Sequence, residues 1–407
     1  MKKFNQYVIF AVLISTFALH AAPAWAAVGL GAGTPEFVIF TDPPTIVGFG
    51  GKLWSVIGNN GEGIATVPGM LTLLANESYG DSRFHNVASN VYSGSELKDK
   101  MDDAFFALAA GERGLVAPRE LTGGSGNKGE MNYNGFDIAG PTIVSTHFWP
   151  LGENEVISLN NGVKKFGVAM NWWLRSPGYN NDEAAYVFSD SGFMEFDAKV
   201  SFTLVVRPAF RLILEHVIFT SAISVANGKD SVAVGNVLSA TSAPAVLVKF
   251  TVGGGANVSL TCTDTAARNV TEGDTVSIAY SGAQTAANKY VSCVITDSSG
   301  TVRFYGKLAT AASGTASFIV PEAADLPPGN YTIRLFNEEC VSGNFTDYAS
   351  LPVNIPLRIT SGGGGGGGGG CDAGFGVFGC FGIFAIAVLF ARRRNHPALR
   401  APLHGGE

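Results

Sequence analysis

Charge is scarce in this chain. Asp, Glu, Lys and Arg together make up 15% of its 407 residues, and the formal net charge is -6. No basic run precedes Arg392-Arg393-Arg394. Nucleic acid, which is bound through basic patches, is therefore excluded as a partner. Between residues 27 and 360 the only histidines are His85, His147 and His216. Cysteine is missing before Cys262, and no Cys-x-x-Cys pair occurs, which argues against a zinc ribbon or a thioredoxin-like site. No His-Glu-x-x-His, Gly-x-Ser-x-Gly or Walker loop is present, so metalloprotease, serine hydrolase and P-loop chemistry lack their motifs. Tryptophan is absent after Trp173.

Glycine, by contrast, is abundant at 52 residues. Much glycine with little charge points to a β-rich, loop-rich body rather than a helical one. The two ends have their own grammar. Lys2 and Lys3, an apolar stretch from Tyr7 to Leu19 and Ala24-Trp25-Ala26 before Ala27 form a secretory signal peptide over 1–26, with cleavage between Ala26 and Ala27. Near the other end, nine consecutive glycines, Gly362 to Gly370, lead into Cys371-Asp372-Ala373-Gly374. An uncharged run to Ala391 and three arginines follow. That run sits at the short edge of the roughly 17 to 25 residues a bilayer span needs. The arginines would stay cytoplasmic under the positive-inside rule. The expectation is a C-terminal transmembrane helix over 371–394, a cytoplasmic tail over 395–407 and the body outside the membrane. Its plainest form is an ordinary single-pass anchor.

The order of glycine spacer, Gly370-Cys371, short apolar segment and arginine cluster resembles the tripartite C-terminal sorting signals of bacterial surface proteins. It is most similar to the Synergist-type C-terminal sorting domain. That resemblance covers about 361–394. It implies recognition by envelope sorting or processing machinery, with cleavage at Gly370-Cys371.

Residues 27–45 are a Gly/Pro/Thr-rich lead-in and 361–370 a glycine linker; the length between suggests two domains, 46–215 and 216–360. In the first, Gly51 to Gly58 alternates as a strand into the turn Asn59-Asn60-Gly61. Ser95 is a natural N-cap, and Leu97, Met101, Phe105 and Leu108 recur at helical spacing up to Gly111. Ala185-Tyr186-Val187-Phe188, Ser189-Asp190-Ser191-Gly192 and Phe193-Met194-Glu195-Phe196 read as a hairpin. Pro208, which cannot donate to a ladder, belongs at a strand end or bulge. After His216 the texture changes to short β runs separated by turns, such as Ser298-Ser299-Gly300 and Pro327-Pro328-Gly329. This predicts an all-β, immunoglobulin-like sandwich. Three cysteines lie in it, Cys262, Cys293 and Cys340; Cys262 with Cys293 is the favoured disulfide, and reduced thiols are the alternative.

Trp173-Leu174-Arg175-Ser176-Pro177-Gly178, Ala185-Tyr186-Val187, Gly192 and Val206-Arg207-Pro208-Ala209-Phe210 form a constellation. It resembles a bacterial domain-of-unknown-function family carrying Trp-Leu-Arg-Ser-Pro-Gly and Val-Arg-Pro signatures, across about 46–214. Leu204-Val205 stand where that family usually has a glycine before Val-Arg-Pro. The spacing is similar to the C-type-lectin-like fold used by formylglycine-generating enzymes and variable receptors. The resemblance implies an α+β lectin-like domain. Trp54 and Trp173 are expected as core anchors, with Pro177, Gly178 and Pro208 shaping the turns. Arg175 and Arg207 are expected to stack on aromatic faces and bond turn carbonyls, with a ligand contact as the alternative.

Two functions remain. In the first the protein is a noncatalytic surface protein that binds an extracellular glycan or protein, through the loop Tyr179, Asn180, Asn181, Asp182 and Glu183. In the second it is a cell-envelope hydrolase acting on glycan or cell-wall substrate with two facing carboxylates. Glu153 and Glu155 are close in sequence but read as solvated loop. No cofactor is expected. The oxygens of the 180–183 loop could ligate calcium, though their spacing matches no EF-hand; a polar loop between strands is the simpler reading.

Overall fold

A computed structural model describes residues 28–31, 45–130, 136–165, 170–223, 228–242, 247–343 and 345–361. The signal peptide with Ala26 and Ala27, and the linker and tail with Gly370 and Cys371, lie outside the described residues. All described residues belong to one compact unit ending at Gly362.

Among the described residues, two two-stranded pairs and two larger sheets build the first half. In one, Ile46–Phe49 pairs antiparallel with Lys52–Asn59, which pairs with Met70–Ala75, which pairs with Pro208–Ile213. Short strands Val116–Ala117 and Trp149–Pro150 also pair with Pro208–Ile213. Lys52–Asn59 is central and is buried on both faces from Trp54 to Gly58. Trp54 therefore sits inside an aromatic cluster. Its ring lies 4.6 Å from Phe210 and 5.6 Å from Phe148, edge-on to both, and its Nε1 donates to Phe49 O at 2.9 Å. In the other sheet the order is Met194–Lys199, Glu183–Val187, Trp172–Pro177, Thr203–Val205 and Asp81–Arg83. The expected hairpin is there, with Tyr186 opposite Glu195 and Val187 opposite Met194. Pro208 opens its strand, where its missing N–H costs least.

Among the described residues one helix exceeds two turns, Glu96–Phe106. Ser95 caps it, its side chain accepting from Lys98 N at 3.0 Å, and Leu97, Met101 and Phe105 are buried. It ends at Ala107, earlier than the spacing predicts, and Gly111 lies inside a separate short helix, Ala110–Arg113. The break is fixed by Glu112, whose carboxylate accepts from Ala109 N and Gly50 N, each at 3.2 Å.

The second half is all-β and compatible with the expected immunoglobulin-like sandwich. One sheet runs from Ser239–Ser242 through Val302–Ala309, Lys289–Thr296, Gly329–Glu339 and Val353–Ile359 to Arg268–Val270. The facing sheet is Thr261–Cys262, Thr275–Ser281 and Gly314–Ile319. Thr275–Ser281 alternates strictly, burying Val276, Ile278 and Tyr280 and exposing the residues between, the pattern of a strand with one wet face. The halves share a sheet: Pro208–Ile213 passes through the turn Leu214–His216 into Val217–Ala222. That strand pairs with Leu247–Gly253, which pairs in parallel with Ile46–Phe49.

Three expectations are corrected. The first domain is not α+β and lectin-like. Strands dominate the described residues, and their four α-helices are short, the three beyond Glu96–Phe106 having at most five residues. Glycine-punctuated, alternating segments favour paired strands over helices. The expected transmembrane helix is not among the described elements. No helix of the described residues is long and apolar enough to cross a membrane, and 371–394 lie outside them. Cys262, Cys293 and Cys340 are all free, so the favoured disulfide is not formed. Cys293 is buried on a strand of the main sheet while Cys262 is on the facing sheet.

Candidate functional site

The strand Trp172–Pro177 is buried along its whole length. Arg175, in its middle, has its side chain 2% exposed. A guanidinium there must be paired, because an isolated buried charge costs several kcal/mol, on the order of the penalty for any desolvated ion. Its Nη1 donates to Glu155 Oε2 at 2.5 Å and to Pro150 O at 2.8 Å, and its Nη2 donates to Asp137 Oδ1 at 2.6 Å. Arg119 completes a ring, donating to Glu155 Oε1 at 2.5 Å and to Asp137 Oδ1 at 3.4 Å while lying 5.0 Å from the Trp149 ring centre. Two planar forks thus share two carboxylates. The backbone makes room at Gly152, where a Cβ would lie 2.9 Å from Arg175 Cζ. Gly152 N also donates to Glu155 Oε2 at 2.9 Å, and Glu153 N to Ser176 Oγ at 2.9 Å.

These groups line a cleft of about 260 Å³, walled by Ala65, Arg119, Asp137, Glu153, Glu155 and Arg175. Burial by itself would raise the Glu155 carboxyl. The guanidiniums of Arg175 and Arg119, with the hydrogen bonds of Arg175 and Gly152, overcome this and hold it down at about 2. For Arg175 burial works against the charge, but Glu155 and Asp137 more than offset it and raise the pKa. Glu155 and Arg175 are therefore a fixed pair of charges, and Glu155 is not a poised proton donor.

Beside it lies the loop 179–183. Tyr179 is 51% exposed, and its ring is 5.8 Å from Phe196. Phe196 also carries Lys128 Nζ 4.7 Å from its ring centre, and Lys128 pairs with Glu153 of the cleft wall. Cleft and loop are therefore parts of one face. The amides are exposed but engaged: Asn180 Nδ2 donates to Glu183 Oε2 at 2.8 Å, and Asn181 Oδ1 accepts from Asn127 Nδ2 at 2.9 Å. Asn90 Nδ2 closes the net, donating to Asn127 Oδ1 at 2.8 Å and to Asn180 O at 3.0 Å. Asp182 and Glu183 both bind Lys199, each at 3.0 Å. Gly178 admits the turn, since a Cβ there would meet Phe196 O at 2.3 Å; Pro177 before it is buried and ends the strand. Of the five loop residues, Tyr179 alone presents its side chain outward without a polar partner. Among the described residues no group of three or more His, Cys, Asp or Glu is arranged to hold a metal ion.

The remaining signature residues lie behind the site. Trp173 is fully buried, and its Nε1 donates to Ser82 O at 2.8 Å. Arg207 is fully buried, with its guanidinium 4.8 Å from the Trp172 ring centre and its Nε donating to Ala75 O at 2.8 Å. Sequence reasoning missed Arg119, Asp137, Asn90 and Asn127, and read Glu155 as solvated. Each meets its partners only through the fold. The one local signal was Gly152 before Glu153-Asn154-Glu155, a glycine N-cap with a glutamate three residues on.

Residues 70–214 match the model of a family described as Domain of unknown function (DUF6273). The match contains Trp173, Arg175, Arg207 and the whole cleft except Ala65, and begins after Trp54. No curated protein matches the chain. Among solved structures the chain is similar to Drosophila OTK, extracellular domains 3-5. That likeness has 14% identity, covers 26% of this chain and 37% of that one, and has a TM-score of 0.17, too low to carry any argument.

Proposed function

We propose that this is an exported, envelope-held protein whose first half binds a ligand without transforming it. The observation that carries this is the clamping of Glu155, one of the cleft's three carboxylates, between Arg119 and Arg175. A general acid or base works best with a pKa near the operating pH. Glu155 stands far below it at about 2, clamped by two guanidiniums. That geometry opposes Glu155 as the carboxyl a hydrolase keeps protonated.

Contact centres on Tyr179, with the Lys128–Glu153 pair and the cleft rim beside it. An exposed ring offers a flat apolar face to the C–H side of a sugar, while neighbouring charged and amide groups meet its hydroxyls. A glycan fits this face best. The signal peptide reading of residues 1–26 supports export. The glycine run and Gly370-Cys371 support retention through a processed C-terminal segment that resembles a sorting signal.

Two measurements test this. A glycan array and a protein array probed with residues 27–361 should give glycan binding that Tyr179→Ala removes. Hydrolysis of an envelope glycan with no stable binding would overturn the reading. Mass spectrometry of the mature protein should give an N-terminus at Ala27 and a C-terminus at Gly370 or Cys371. Recovery of an intact chain ending at Glu407 would remove the sorting part.

A further inference from the structure

A second group of charges is sealed inside the other half. Lys229 lies in the turn Lys229–Ser231, Glu338 at the end of the strand Gly329–Glu339 and Asp347 at the start of the strand Asp347–Ala349. All three side chains are 0% exposed. Lys229 Nζ donates to Glu338 Oε2 at 2.6 Å and lies 3.1 Å from Asp347 Oδ2. The two oxygens of Asp347 are treated differently. Oδ1 accepts from Val341 N at 2.6 Å and from Lys249 Nζ at 3.2 Å. Oδ2 accepts no hydrogen bond, although Lys229 Nζ and Lys249 Nζ lie 3.1 and 3.0 Å away. Two lysine nitrogens thus crowd one buried carboxylate oxygen without completing a hydrogen bond to it.

The arrangement is that of a carboxyl ready to be acylated onto an amine. We propose that Lys229 and Asp347 condense to an intramolecular amide, with Glu338 as the proton carrier. Burial works against the Lys229 ammonium, but Asp347, Cys340 and Glu338 favour it, so the reaction starts with a proton passing from it to Asp347, giving the neutral amine and carboxylic acid that react. The amine nitrogen attacks Asp347 Cγ. Negative charge grows on Oδ1, where the Val341 N–H and the Lys249 ammonium already point, as donors preset for a developing oxyanion do. Glu338 takes the surplus proton from nitrogen and delivers it to the departing Oδ2 hydroxyl. One C–N bond forms, one C–O bond breaks and one water leaves. No oxidant or other reactant is needed.

The surroundings fit these roles. Burial pushes the Asp347 carboxyl up, favouring its protonated, electrophilic form. Burial also acts to raise Glu338, but Lys229 and hydrogen bonds from Lys229, Ser292 and Tyr305 hold it down, so it remains a base. Ser292 Oγ donates to Glu338 Oε1 at 2.6 Å, and Tyr305 OH donates to the same oxygen. Lys249 is the wrong nucleophile. It is held by Val341 O at 2.7 Å, Asp230 Oδ2 at 3.0 Å and Asp347 Oδ1 at 3.2 Å, which tether it on the side of Oδ1. Cys340 Sγ lies 3.1 Å from Lys229 Nζ, but burial pushes that thiol up to about 12, so it stays protonated and does not compete.

The test is the intact mass of the folded full-length protein after denaturation and reduction. The wild type should be lighter than its sequence by one water. Fragmentation should give a branched peptide joining Lys229 to Asp347. Lys229→Arg and Asp347→Ala should show no water loss. Glu338→Gln, nearly isosteric, should lose most of the cross-link while keeping the native circular dichroism. A folded wild type at full sequence mass would overturn the proposal, and so would water loss mapping to Lys249 or to any other pair.

Discussion

Two buried charge clusters solve the same problem by different chemistry. Around Arg175 the cations are guanidiniums, and Glu155 and Asp137 are met by forks that suit their shape. A guanidinium stays charged and is a poor nucleophile, so that cluster stays ionic. Around Lys229 the cations are amines, the seal is complete, and one carboxylate oxygen is left over. A desolvated amine beside a desolvated acid has an exit that a guanidinium lacks. The comparison teaches that burial depth alone does not define a reactive site; the identity of the cation does.

The sharpest way to break the comparison is to remove one cation from each cluster. Arg175→Met leaves Glu155 and Asp137 facing only Arg119 and should cost about 3–5 kcal/mol, the usual loss on halving a buried ion pair. Lys229→Met strands Glu338 and Asp347 similarly. It also removes a covalent closure from residue 229 to residue 347, worth about 4 kcal/mol if it acts as other long-loop cross-links do. Denaturant unfolding should therefore show the larger fall for Lys229→Met. Equal losses would indicate two ordinary ionic clusters.

The next effect is a pH dependence carried by Glu155 of the Arg175 cluster. The Glu155 carboxyl lies at about 2 in the folded protein against an ordinary 4.5. A depressed carboxyl contributes stability that is fully present above its unfolded value and lost as pH falls through the folded one. The difference corresponds to about 3 kcal/mol, and its loss should fall between about pH 4.5 and about 2. Glu155→Gln should flatten the stability curve in that window. An unchanged slope would mean that Glu155 is not held down by its guanidiniums.

How much of this could be read from the sequence depends on distance along the chain. The Ser95 cap, the Leu97–Met101–Phe105 face and the 183–199 hairpin are local, and spacing shows them. The β runs after His216 were legible for the same reason. The partners of Arg175 were not: Glu155 stands 20 residues away in a short helix and Asp137 38 residues away in a bend. Periodicity at two or four residues carries no signal of such pairs. Glu155 looked solvated because its neighbours in sequence are polar, while its neighbours in space are two guanidiniums. The lectin-like expectation failed on a related point. Signature residues mark which positions are buried, not which sheet order buries them.

A smaller perturbation separates packing from charge. Gly152→Ala keeps every ion but puts a Cβ within 2.9 Å of Arg175 Cζ. The guanidinium is tied at three points and cannot swing away freely. The expected cost is about 1–3 kcal/mol, typical of overpacking, with the acid dependence of Glu155 weakened in the same titration. A neutral outcome in thermal unfolding would show that the Arg175 ring of ion pairs tolerates displacement.

The smallest effect on stability should accompany the largest on binding. Tyr179 is 51% exposed and rests on Phe196, so its loss removes little buried surface. Surface truncations of this kind usually stay within about 0.5 kcal/mol. Tyr179→Ala should therefore unfold like the wild type while losing glycan binding, because an exposed aromatic on a rigid face is where contact energy concentrates. Asn181→Ala should do the reverse. Its amide oxygen accepts from Asn127, so removing it opens the Asn90–Asn127 net and lowers stability by about 1–2 kcal/mol, with binding weakened only through the loosened loop. If Tyr179→Ala binds normally while Asn181→Ala does not, the ligand reads the amide net, and the contact face must be moved from the ring to Asn127, Asn180 and Asn181.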